Sequence, residues 1–146
     1  MENITKEMSF IINMWSVNSL ISKKLDASLG SVHGIGLTEY MVLFHLNNSH
    51  NKSMRRIDLA SSIGLTASGI TRIVSPMEKI GLVMKEQNPR DARVSLVKIT
   101  ASGEEILSDS MLSIEQSTQR LLSDVGDIDL THALSAFKSI GKDLYL

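Results

Sequence analysis

The chain has no cysteine, two prolines among 146 residues and an aromatic content of 4%. Without cysteine, disulfides, thiolate catalysis and thiol-based redox sensing are excluded, and the chain suits a reducing compartment. With few aromatic rings the core has to be built from Leu, Ile, Val and the eight Met, a composition that favours helices. No apolar run approaches the ~20 residues a membrane span needs. The opening MENITKEMSF carries acids early and lacks the basic-then-apolar order of a signal peptide. A cytoplasmic protein without a membrane partner is expected. The four histidines, His33, His45, His50 and His132, contain no pair at zinc-ligand helical spacing. There is no G-x-S-x-G elbow and no phosphate-binding glycine loop. Neither an enzyme nor a metal or cofactor protein is expected.

What is present is a charge asymmetry. The net charge is −1. Residues 52–98 nevertheless hold nine bases against four acids, a net +5, and the remainder holds six bases against twelve acids, a net −6. Such a segregated basic stretch is the electrostatic footprint of a nucleic-acid partner.

Along the chain, Met8, Ile11, Ile12, Trp15, Ile21, Leu25 and Leu29 recur three or four apart, which predicts one long helix that the glycines of GSVHGIG (30–36) break. Thr38 is expected to cap a second helix with Tyr40, Met41, Phe44 and His45 inward. A short helix over Arg56–Ile63, with Ile57, Leu59, Ala60 and Ile63 inward, meets Gly64 as its left-handed stop. Thr66 then accepts from the amide of Ser68 or Gly69 and opens the next helix, so the two helices are joined by a glycine-containing turn: a helix-turn-helix signature. The second helix has an apolar stripe of Ile70, Ile73, Val74, Met77 and Ile80, and an opposite stripe of Ser68, Arg72, Ser75 and Lys79. It should close at Gly81 with a Met77–Leu82 contact, and Pro76 should bend it. Val83–Gln87 and Arg93–Ile99, around NPRDA, read as a β-hairpin. Thr100 caps a long helix with a seam of Leu107, Met111, Ile114, Thr118, Leu121 and Val125; a last helix carries Leu130, Leu134, Phe137, Ile140 and Leu144. The expected architecture is mainly α with a small β-hairpin wing and six helices. It is one domain over 1–146, with the winged part at about 37–100 and dimerisation helices at about 5–30 and about 100–146.

Helix, turn, helix and basic hairpin is the order of a winged helix-turn-helix. The stretch GLTEYMVLFHL with RRIDLASSIGLTASGITRIVSPMEKIGLVMKEQNPRDARVSLVKITASGEEIL, above all LTASGITR, EKIGLV, the D-A-R of the wing and ITASGEE, resembles the MarR family of bacterial transcriptional regulators over about residues 36–107. The resemblance implies a homodimer held by the first and last two helices. It would bind double-stranded DNA at a pseudo-palindromic operator whose half-sites lie roughly 34 Å apart. It also implies a repressor released by a small aromatic or phenolic effector.

The tetrapeptide TASG occurs twice, at 66–69 and 100–103. After Gly69 no acid follows until Glu78, so a phosphate can approach the free amides, Ser68, Thr71 and Arg72. After Gly103 come Glu104 and Glu105, which fill their own helix end. Arg72 is the candidate for a base edge, against a phosphate clamp or an intrachain ion pair. Ser68, Gly69, Thr71 and Ser75 assist it, and Ser53, Arg55, Arg56, Thr66 and Lys79 are candidates for the DNA backbone. Either Arg90 or Arg93 can enter the minor groove. The resemblance implies that Asp91 and Arg93 brace the wing, which leaves Arg90 for DNA. Ala92 and Lys85 depart from the family pattern, in which arginine is frequent. Met14, Trp15, His33, Met41 and His45 are candidates for an effector cleft, each weighed against plain core or a satisfied histidine. The competing class is a winged helix used as a protein-interaction module, which the hydroxyl- and arginine-bearing face disfavours.

Overall fold

The computed structural model describes residues 4–141. In chain order these form α1 (Lys6–His33), α2 (Leu37–Asn47), a single 3-10 turn (His50–Lys52), β1 (Ser53–Arg55), α3 (Arg56–Ile63), α4 (Ala67–Lys79), β2 (Val83–Asn88), β3 (Asp91–Ile99), α5 (Ala101–Leu121) and α6 (Asp127–Ile140). Six helices and a small antiparallel sheet make the mainly α, winged helix-turn-helix architecture that the sequence predicts.

α1 opens at Thr5, whose hydroxyl accepts from the Met8 amide at 3.2 Å. It does not break at Gly30, as the glycine count suggests, but runs on to His33 and stops at Gly34, whose φ of 69° is left-handed. α2 starts before Thr38. Its free amides are taken by two carboxylates, Glu39 accepting from Gly36 N at 2.9 Å and Asp26 from Leu37 N at 2.8 Å. Gly36 is therefore the cap and Thr38 lies inside the helix. Tyr40 is buried while Phe44 is exposed, and the inward positions are Val42, Leu43 and Leu46.

α3 has the predicted bounds. Gly64, at φ 74°, supplies the left-handed residue that lets Leu65 N return to the Ala60 carbonyl at 2.9 Å and Gly64 N to Ser61 at 3.2 Å. α4 closes the same way: Leu82 N reaches the Met77 carbonyl at 3.0 Å and Gly81 N reaches Glu78 at 3.1 Å. Ile57 and Ile80, placed inward by periodicity, are exposed; Leu59, Ala60, Ile70, Val74 and Met77 carry the burial. Pro76 stands inside α4 with its ring exposed, and the helix is continuous across it. Ile80 N donates to the Pro76 carbonyl at 3.2 Å, so the ladder resumes after the proline.

The hairpin is longer than predicted, with only Pro89 and Arg90 outside the strands, and it has a third partner. β1 pairs with β3 (Ser53 with Lys98, Arg55 with Leu96), giving the order β1-β3-β2. The β2–β3 register slips between Gln87, opposite Ser95, and Asn88, opposite Asp91. The inner face of the sheet (Val83, Val97, Ile99) joins Leu29, Leu43, Leu46, Leu59, Ile70 and Val74 in one core. α5 begins where Thr100, on the end of β3, donates to the Gly81 carbonyl at 2.6 Å and accepts from Gly103 N at 3.1 Å. The predicted seam ends at Leu121, because Val125 lies beyond the helix, and Leu144 falls outside the described residues.

α1 and α5 pack together, pinned by hydrogen bonds between His33 and Ser113 (2.8 Å) and between Ser28 and Ser117 (3.2 Å). α6 buries none of its residues against the rest of the chain. Ile128, Leu134, Phe137 and Ile140 on it, and Phe10, Ile11, Ile12 and Trp15 on α1, are exposed. Among the described residues no helix is long and apolar enough to cross a membrane.

Candidate nucleic-acid interface

The N-terminal end of α4 follows from its first four residues. Thr66 Oγ1 accepts from Gly69 N at 3.0 Å and lies 3.2 Å from Ser68 Oγ. The amides of Ala67 and Ser68 stay outside the helical ladder. No acid occupies the first turn, so the positive end of the helix dipole is open to an anion. At the other TASG the sign is cancelled: Glu104 sits in the first turn of α5 and is itself paired with Lys52 at 2.6 Å.

The nine bases of the 52–98 stretch divide cleanly. Lys52 is tied to Glu104, Arg55 to Asp58 through two bonds of 2.7 and 2.9 Å, Arg56 to Glu78 at 3.2 Å, and Lys98 to Glu86 at 3.0 Å. Among the described residues Arg72, Lys79, Lys85, Arg90 and Arg93 enter no ion pair, and all five are exposed. They fall on α4 and on the hairpin. The four acids that neutralise the other bases are what composition could not reveal, since three of the pairs join distant segments.

The remaining candidates occupy varied surroundings. Ser68 and Thr71 are exposed and Ser75 is half-buried on α4, Thr71 spending its hydroxyl hydrogen on the Ala67 carbonyl at 3.0 Å. Ser53 is half-buried on β1 and its carbonyl accepts from Ser49 Oγ. At the wing tip Asn88 Oδ1 accepts from Arg90 N at 3.0 Å, which shapes the turn. Between the bracing candidates, Asp91 Oδ1 accepts from the backbone amide of Arg93 at 3.0 Å, and the two side chains form no salt bridge. Among the described residues the Arg93 guanidinium enters no ion pair.

Residues 35–95 match the family model described as MarR family. Over that segment the chain is similar to the MarR family. It is similar to the uncharacterized HTH-type transcriptional regulator YdgJ of Bacillus subtilis strain 168, 24% identical over 121 residues, covering 83% of this chain and 70% of that protein. Its fold is that of Sco3205 from Streptomyces coelicolor, solved in complex with DNA, with a TM-score of 0.82 at 23% identity over 96% of this chain and 88% of the other. CouR from Rhodococcus jostii RHA1, solved bound to p-coumaroyl-CoA, has a TM-score of 0.78 at 18% identity over 96% and 95% of the two chains. YdgJ and Sco3205 are both described as transcriptional regulators.

In this chain the five effector-cleft candidates do not converge within one subunit. Met14 and His33 lie nineteen residues apart on the same helix, about 28 Å at 1.5 Å per residue. Trp15 is 73% exposed, His33 is engaged with Ser113, and Met41 packs against the core. His45 meets the edge of the Phe44 ring at 5.7 Å, and burial lowers its pKa. A cleft of about 600 Å³ lies elsewhere, along the wing from the 3-10 turn to Pro89, lined by Lys52, Ser53, Glu86, Gln87, Leu96 and Lys98 among others. No cluster of His, Asp or Glu among the described residues could hold a metal ion.

Proposed function

We propose that this protein binds double-stranded DNA sequence-specifically as a homodimer at a pseudo-palindromic operator, and represses transcription until a small-molecule effector releases it. The reading rests on one observation: among the described residues of the basic stretch, the cations without an ion pair, Arg72, Lys79, Lys85, Arg90 and Arg93, belong to the recognition helix and the wing, beside an acid-free helix N-terminus. Arg72 reads a base edge with Ser75 one turn on to assist it, and Thr66, Ser68 and Gly69 line the approach of a phosphate to the amides. Lys79, Arg55 and Ser53 follow the backbone, and Arg90 with the unbraced Arg93 enters the minor groove. The apolar exposed faces of α1 and α6 are what a second subunit would cover. In a dimer, Trp15 and Met14 would come from one subunit to a cleft whose other wall is formed by the partner. An aromatic or phenolic ligand there would act by favouring one spacing of the two recognition helices.

The test is affinity for random and selected duplexes across a salt series. Log-affinity should fall steeply with log-salt, by about 0.9 per phosphate neutralised. A flat dependence would mark a protein-interaction module and sink the reading.

A further inference from the structure

Resting on the DNA-binding reading above, we propose that Arg56 is a positioning residue: it clamps the recognition helix α4 to α3 and sets the aim of Arg72 without touching DNA. The helix pair is joined covalently at one end, where Gly64, Leu65 and Thr66 connect the end of α3 to the start of α4. A joint at one end leaves the angle between two helices, and the rotation of each about its axis, only partly determined. Arg56 is the first residue of α3 and Glu78 the next-to-last of α4. Their ion pair, Nη2 to Oε1 at 3.2 Å, therefore closes the open end of the pair.

Nη1 of the same guanidinium reaches Thr71 Oγ1 at 3.5 Å, the long end of a hydrogen bond. Thr71 and Glu78 are seven residues apart and so share one face of α4. One rigid, planar group thus holds two points of that face, which fixes the roll of the helix as well as its tilt. Arg72 follows Thr71 directly, so any roll displaces its guanidinium from a base edge. Among the four ion pairs of the described residues the clamp is the most sheltered, at 23% and 25% side-chain exposure against 46% and 41% for Lys52–Glu104. Shelter of this kind weakens screening by salt.

A phosphate contact and a clamp give opposite results on removal of the acid. A duplex selected from a random pool by the wild-type protein, and a scrambled duplex, would be titrated with Glu78→Gln, Arg56→Lys, Arg56→Met and the exchange Arg56→Glu/Glu78→Arg. Glu78→Gln and Arg56→Lys should each lower the ratio of selected to scrambled affinity by about ten-fold, the scale of one misread base. The salt slope of Arg56→Met on scrambled duplex should equal that of the wild type, and the exchange should regain part of the ratio. The proposal is overturned if Glu78→Gln binds the selected duplex as tightly as the wild type or more so. It is equally overturned if Arg56→Lys is unaffected while Arg56→Met loses a slope of about 1.8 per dimer, one phosphate per subunit. A wild type that selects no sequence would sink the regulator reading and this proposal together; a selective wild type with an indifferent Glu78→Gln would sink the proposal alone.

Discussion

The carbonyl oxygen of Leu82 occupies the space in which Gly103 would carry a Cβ. The same Cβ would stand 2.8 Å from Ile99 Cγ1, so the start of α5 is seated directly on the turn that ends α4. Gly69, at the same place in the other TASG, would meet only Thr66 Oγ1 at 3.1 Å and the Leu65 side chain, its Cβ at 3.6 Å.

The two glycines should therefore separate in a stability measurement. Gly103→Ala is expected to cost about 1–3 kcal/mol, since a backbone carbonyl cannot step aside as a side chain can. Gly69→Ala should stay within about 1 kcal/mol of the wild type, helix propensity offsetting the tight approach to the cap. Urea unfolding midpoints measure both, and equal midpoints would mean that the α4–α5 joint is slack.

Arg72→Ala should reduce the preference for the selected duplex by about 1–3 kcal/mol for each base that the guanidinium reads. Lys79→Ala should weaken selected and scrambled duplexes alike. Identical behaviour of the two variants in fluorescence anisotropy would refute the division between base and backbone recognition.

Stability should depend on pH through His45. Burial lowers its pKa below the ordinary 6.5, so between the two values the unfolded chain binds more protons than the folded one. The contribution is intact above 6.5 and is lost as pH falls through the folded value. Urea midpoints at about pH 7.5 and about pH 5 should differ more for the wild type than for His45→Leu. An unchanged difference would remove His45 from the account.

Phe137→Asp should abolish self-association if α1 and α6 form the dimer face, and sedimentation reads this directly. Trp15 is the single tryptophan, and its emission should move to longer wavelength in the variant. A wild type that is monomeric where it binds DNA would end the two-fold reading.

Local chemistry was legible in the sequence and distant pairing was not. The stop at Gly64 and the cap bonds that Thr66 and Thr100 accept act within four residues, and these roles follow from side-chain type; the donation of Thr100 to Gly81, nineteen residues away, does not. The start of α2 did not follow, because one of its amides is taken by Asp26, eleven residues away. β1 is three residues long, too short for a period, and exists by pairing with β3. The basic surplus identified the right stretch, yet which cations remain free depends on Glu78, Glu86 and Glu104 arriving from elsewhere in the fold. The exposed Ile57 shows the limit of periodicity in an eight-residue helix, where one turn at the end escapes cover.

Proline at position 76 removes one rung from α4, since it has no N–H to offer the Arg72 carbonyl. The helix is thus softest one turn after the side chain that would meet the bases. Bending at that point gives up one backbone hydrogen bond fewer than bending elsewhere along α4, while the Arg56 bridge from Thr71 to Glu78 spans it and limits its extent. A compliance of this kind would let the reading end of the helix adjust to a groove of variable width while its buried side, Ile70, Val74 and Met77, stays in place.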